Sequence, residues 1–203
     1  MKALLIIDVQ YDFCPGGALA VADGDQVVAP LNRLADEFAA AGMPVVATQD
    51  WHPAGHVSFA SAHPGRAVGD VVELPGGTPQ MLWPDHCVQD SLGAELVDNL
   101  HLDAISHLVY KGCDPQVDSY SAFFDNARAH ATDLDAWLRA RGVDELVVGG
   151  LACDYCVKFS ALDALSLGYR VSVPREATRA VDAAPGDGER ALAEMAAAGA
   201  HVL

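Results

Sequence analysis

Positive charge is scarce in this chain. Only 12 Lys and Arg stand against 28 Asp and Glu, a formal net charge of −16, and the few bases form no cluster. Such a surface repels a phosphate backbone, so nucleic acid is not expected as a partner. Long apolar runs are also missing. The early run 3–7 is broken by Asp8 and no cleavage-like region follows it, so neither a signal peptide nor a membrane span is expected and the protein should stay in the cytoplasm. Cysteine is sparse and odd in number, with five residues lacking framework spacing, which fits reduced thiols better than a disulfide scaffold. No internal repeat breaks the chain into modules.

What is present is a hydrophobic fraction of 51% over 203 residues, enough for one domain, 1–203, with a substantial core. Continuous apolar or β-branched runs at 3–7, 44–48, 107–110, 145–148, 170–173 and 201–203 read as strands. Helical periodicity occupies 27–41, 92–100, 132–141, 154–167 and 187–198, with a cap at Thr132 or Asp133. The stretch 53–84, rich in Pro, Gly and His, reads as an ordered functional loop with an extended piece at 70–74. The alternation predicts an α/β fold: one doubly wound, mainly parallel six-stranded sheet with helices on both faces. Ligands in such sheets sit at the carboxyl ends of the strands, and Asp8, Asp50, His52, Lys111 and Cys156 all fall there.

The densest signal is Val147-Val148-Gly149-Gly150-Leu151-Ala152-Cys153-Asp154-Tyr155-Cys156-Val157-Lys158, a strand, a tight turn and a helix start. Free N–H groups at the start of a helix favour thiolate over thiol, which makes Cys156 a candidate nucleophile. Cysteine in this position is also common as a small core hydrophobe. The Cys153/Cys156 spacing also fits a redox pair or half of a zinc site, although Cys14, Cys87 and Cys113 are scattered singly and offer no second pair. A thiol attacking a carbonyl needs a base that later acts as an acid, and Asp8 fits that part. Lys111 beside the pair would hold Asp8 ionised and support the thiolate, or would form only a structural ion pair with Asp8.

A second group is Asp50, His52 and His86, with His56 as a further member. Asp-x-His at a strand end projects two ligands, and a distant His can close the site. Oxygen and imidazole donors suit zinc, iron or manganese. Loop histidines bonded to backbone carbonyls, or simply exposed, would look the same in sequence.

Asp8-Val9-Gln10, Asp12-Phe13-Cys14-Pro15-Gly16-Gly17, Asp50-Trp51-His52-Pro53, Trp83-Pro84-Asp85-His86-Cys87, Tyr110-Lys111-Gly112, Asp118-Ser119-Tyr120-Ser121-Ala122-Phe123 and Gly150-Leu151-Ala152 with Asp154-Tyr155-Cys156-Val157 occur in one order along nearly the whole chain. Together they resemble the nicotinamidase/pyrazinamidase group of the isochorismatase-like hydrolases. The resemblance implies hydrolysis of nicotinamide, and of pyrazinamide, through a thioester, with Asp8, Lys111 and Cys156 as catalytic residues. It implies a divalent metal on Asp50, His52 and His86 that holds the pyridine nitrogen. It also implies a cis Leu151–Ala152 peptide, with the N–H groups of Ala152 and Cys156 as an oxyanion hole. Phe13 and Trp83 would sandwich the ring, with Tyr120 as a further pocket residue. NAD salvage would be the context, and the partners would be a small aromatic amide and, at most, further copies of the chain. Two departures bear on the pocket: Tyr11 stands where the group commonly has Asn, and Cys153 where it commonly has Thr. Two rival readings remain, a cysteine amidase for aliphatic carbamoyl or ureido compounds and a metal-dependent binding protein in which Cys156 is only core.

Overall fold

Leu4, Leu5, Ile6 and Ile7 are each 1% exposed or less, so the first apolar run is a strand covered on both faces. It is β1 (Lys2–Ile7), followed by β2 (Val45–Asp50), β3 (Val71–Glu73), β4 (Pro79–Met81), β5 (His107–Lys111), β6 (Glu145–Leu151), β7 (Arg170–Val173), β8 (Thr178–Arg179) and β9 (His201–Val202). The α-helices are α1 (Val28–Ala40), α2 (Leu134–Arg139), α3 (Lys158–Ser166) and α4 (Asp187–Ala197). The computed structural model describes residues 1–75 and 77–203. The main sheet runs β5-β2-β1-β6-β7-β9 with every pair parallel, and β3 and β4 form a separate antiparallel hairpin.

Alternate residues of the strands supply two cores. Leu4, Ile6, Val45 and Ala47 share one with Val28, Leu31, Ala35 and Phe38 of α1. Leu5, Ile7, Val46 and Val148 share the other with Leu134 and Leu138 of α2, Ala161 and Ala164 of α3, and Leu192 and Met195 of α4. Helices thus cover both faces, as expected of a doubly wound sheet. Each fully buried Leu or Ile contributes about 1.5–3 kcal/mol relative to exposure.

The winding positions the site. From β1 the chain moves outward through β2 and β5, then returns to lay β6 on the other side of β1. The connections at the carboxyl ends of β1 and β6 therefore diverge and leave a crevice. Ile7 is paired with Gly150, so Asp8 and the segment after Leu151 enter that crevice side by side. Gly150 has φ +121°, and a Cβ there would lie 2.0 Å from the Ile7 carbonyl oxygen; only glycine lets the strands pass so closely. On the other flank Asp50 and Lys111 are register partners.

Several local expectations need correction. The sheet has a seventh strand, β8, which pairs with Gly150 and Leu151; two residues are too few to show a sequence period. Asp50 and Lys111 are the last residues of their strands rather than the residues after them. The stretch 92–100 holds only a 3-10 turn, Leu92–Ala94. Its backbone is engaged elsewhere: Tyr11 N–H donates to Glu95 O at 3.1 Å and Val97 N–H to Val9 O at 3.0 Å, which overrides helical periodicity. The helix expected over 154–167 begins with a π-turn, Cys153–Val157, in which Val157 N–H donates to Ala152 O at 3.1 Å, and becomes α-helical only from Lys158. At α2, Asp133 occupies the cap position without a side-chain bond, while Thr132 Oγ1 accepts from Leu134 N–H at 3.2 Å. No helix among the described residues is long and apolar enough to cross a membrane.

Candidate active site

Lys111 is the hub of the crevice. It is 2% exposed, and its Nζ lies 2.8 Å from Asp8 Oδ2 and 3.4 Å from Cys156 Sγ. It also donates to the Ser119 carbonyl at 2.9 Å and to the Asp50 carboxylate. Burial would discharge an isolated lysine, but Asp50 and Asp8 overrule it and hold this ammonium charged well above its usual range. Burial pushes the Asp8 carboxyl up to about 6, against the pull of Lys111 and with help from the Asp50 charge.

Cys156 feels more than the helix start expected to favour its thiolate. Burial raises its thiol well above the ordinary range; Lys111 pulls down, but Asp8 and Asp50 push back up. One carboxylate oxygen from each of those residues and Cys156 Sγ all lie within 4.8 Å of one another. The residue is thus a buried thiol beside a carboxylate, inside a π-turn rather than at a solvated helix start.

The second group assembles against the same carboxylate. His52 Nδ1–H donates to Gly112 O at 2.9 Å, and His86 Nδ1–H donates to Pro84 O at 2.8 Å. Both tautomers are thereby set with the Nε2 lone pair free. These Nε2 atoms lie 3.7 and 4.0 Å from Asp50 Oδ2, and His52 Nε2 is buried without a hydrogen-bond partner. An orphaned imidazole nitrogen, a second imidazole and a carboxylate oxygen, all within 4.8 Å, fit a divalent metal ion. Gly112 makes this possible: its φ is +65°, and a Cβ there would meet the His52 ring at 2.4 Å.

His56 stands apart from that set. Its Nε2–H donates to Asp114 O at 2.9 Å, and its Nδ1 accepts from Ser58 Oγ at 2.7 Å. Although His52, His56 and Asp118 also bring ligand atoms within 4.8 Å, both His56 nitrogens are occupied. The ring packs over His52 at 4.3 Å between centroids and supports it.

Above Cys156 the cleft is walled by Phe13, Trp83 and Tyr120, the three aromatics expected there, and by Tyr155, Asp118 and Val181, which were not foreseen. Trp83 Nε1–H donates to Tyr120 Oη at 3.2 Å, and Tyr155 meets the Trp83 ring edge-on at 4.9 Å. Tyr155 adjoins Cys156 in sequence, and that adjacency was the available signal. Ala152 and Cys156 both line the cleft, and the Leu151–Ala152 peptide is cis, as expected. Neither departure is among the residues that line this cleft: Tyr11 Oη accepts from Asp98 N–H at 3.3 Å, and Cys153 is buried in the same core cluster as Val157 and Ala161.

The chain matches the isochorismatase domain over residues 2–203. A nicotinamidase of Escherichia coli is 54% identical over 202 residues, covering 98% of this chain and 92% of that one. Among solved structures, a nicotinamidase/pyrazinamidase of Acinetobacter baumanii superposes with a TM-score of 0.93 at 40% identity, over 100% of this chain and 95% of that one. A pyrazinamidase of Pyrococcus horikoshii, solved in complex with zinc, gives a TM-score of 0.81 at 38% identity, over 100% and 98%.

Proposed function

The chain belongs to the isochorismatase family, and from that membership and the geometry of its cleft we propose that it is a metal-dependent cysteine amidase that hydrolyses nicotinamide to nicotinate and ammonia, and pyrazinamide likewise. The observation that carries this reading is the convergence of Asp8, Lys111 and Cys156 under aromatic walls, beside a three-donor metal set.

Asp8 takes the Cys156 proton as the sulfur attacks the carboxamide carbon. The N–H groups of Ala152 and Cys156 receive the developing oxyanion. Asp8 returns the proton to the departing nitrogen, which leaves as ammonia. The same carboxylate then deprotonates the water that opens the thioester. Lys111 stabilises the Asp8 carboxylate each time it is ionised, and Phe13 and Trp83 clamp the ring. Asp50, His52 and His86 would hold the metal, for which zinc is the ion proposed. When bound, it supplies a Lewis-acidic anchor for the pyridine nitrogen. The chain would act as one domain, 1–203, in cytoplasmic NAD salvage.

Ammonia release from nicotinamide, measured before and after chelation, tests the reading. Release that chelation removes and added zinc restores supports it. Absence of release from the folded, zinc-loaded protein overturns the substrate.

A further inference from the structure

Thr48 is the hydroxyl in β2, where Val45, Val46 and Ala47 precede it and all are fully buried. A buried hydroxyl is unfavourable unless it is bonded. Both of its bonds go to Asp8. Asp8 N–H donates to Thr48 Oγ1 at 3.2 Å, and Thr48 Oγ1–H donates to Asp8 Oδ1 at 2.5 Å. Asp8 stands at φ +47°, a left-handed conformation that few residues other than glycine adopt and that local hydrogen bonding must hold. With Oδ1 engaged, Oδ2 has no hydrogen-bond partner among the described residues, although Lys111 Nζ is 2.8 Å away. A carboxylate oxygen of Asp8 lies within 4.8 Å of Cys156 Sγ.

Building on the amidase reading, we propose that Thr48 is a positioning residue: it locks the Asp8 carboxylate so that Oδ2 alone carries the proton. In acylation the Sγ–H bond breaks, Oδ2–H forms, and sulfur bonds to the carboxamide carbon. The C–N bond then breaks as Oδ2 gives that proton to nitrogen. In deacylation a water proton passes to Oδ2, the water oxygen bonds to carbon, and the departing sulfur recovers the proton.

Thr48→Val keeps the shape of the side chain and removes the hydroxyl. It should lower kcat for nicotinamide about 10- to 100-fold while KM stays within about threefold, the signature of a misplaced reacting group. Alkylation of Cys156 by iodoacetamide, followed by mass spectrometry, should slow by about fivefold or more as proton removal becomes less efficient. Thr48→Ser should recover both rates to within about threefold, because the hydroxyl rather than the methyl carries the effect. Wild-type rates in Thr48→Val, or a Thr48→Ser variant as slow as Thr48→Val, would overturn the assignment. If Thr48→Val lowers Tm, Thr48→Ala and Thr48→Ser make the same comparison, since they differ by the hydroxyl alone; equal rates in those two would overturn it. Should the wild type release no ammonia from nicotinamide, the substrate reading fails, while the alkylation comparison still decides the role of Thr48.

Discussion

Asp50 and Lys111 are partners across β2 and β5, and the Lys111 ammonium donates to the Asp50 carboxylate while reaching Asp8 Oδ2 at 2.8 Å. The two groups of residues are therefore one site. Asp50 turns Oδ2 toward the imidazoles of His52 and His86 and Oδ1 toward the lysine.

Cys156→Ala removes the sulfur that lies 3.4 Å from Lys111 Nζ and within 4.8 Å of an Asp8 carboxylate oxygen. Nicotinamide hydrolysis should fall by about 10⁴-fold or more, as loss of a nucleophile does in covalent catalysis, with Tm little changed. Steady-state ammonia release checks this. Residual hydrolysis within tenfold of wild type would rule out a thioester route.

Asp8 must be ionised to accept the thiol proton, and burial places its carboxyl at about 6. Activity should therefore be full above that pH and lost below it, with kcat/KM falling about tenfold per pH unit on the acid side. A pH–rate profile of the zinc-loaded enzyme, with retained folding verified at each pH, reads the midpoint. A profile flat to about two pH units below the Asp8 value would show that a different group is the base.

Gly112→Ala forces a methyl against the His52 ring, 2.4 Å from Cβ, at a backbone φ of +65°. The ring must shift, and the loss of its oriented Nε2 should weaken zinc binding about 10- to 100-fold. Competition with a chromogenic chelator measures that affinity directly. Unchanged affinity would remove His52 from the ligand set.

Lys111→Met deletes the cation from between two buried carboxylates. The charges left behind should cost about 3–5 kcal/mol of stability, read as a lower denaturant midpoint at pH 7. The loss should shrink as pH falls from the alkaline side toward about 6: without Lys111, which holds the Asp8 carboxyl down, Asp8 takes up its proton above that value and ceases to be an unpaired charge. A loss that stays constant across that range would mean that Asp8 is not the group left unpaired.

The strands, their carboxyl ends and the order of chemical residues were legible in the sequence because apolar runs and periodicity are local properties. Hydrophobic runs placed Asp8 and Cys156 at strand ends, and the Asp-x-His spacing marked Asp50 and His52; that the two strands are neighbours came from the fold. What the sequence could not carry were interactions whose partners lie far along the chain. The stretch 92–100 has a helical period but gives its backbone to Val9 and Tyr11. His56 looks like a ligand until Asp114 and Ser58 are seen to occupy both its nitrogens. The thiol of Cys156 looks activated by its helix until burial and two carboxylates raise it. Residue types and spacing determined which groups reach the edge of the sheet, because side-chain direction along a strand is set by the chain itself. The tertiary structure alone decided their charges and partners, because desolvation and Coulomb energy depend on every group that the fold packs within a few ångströms.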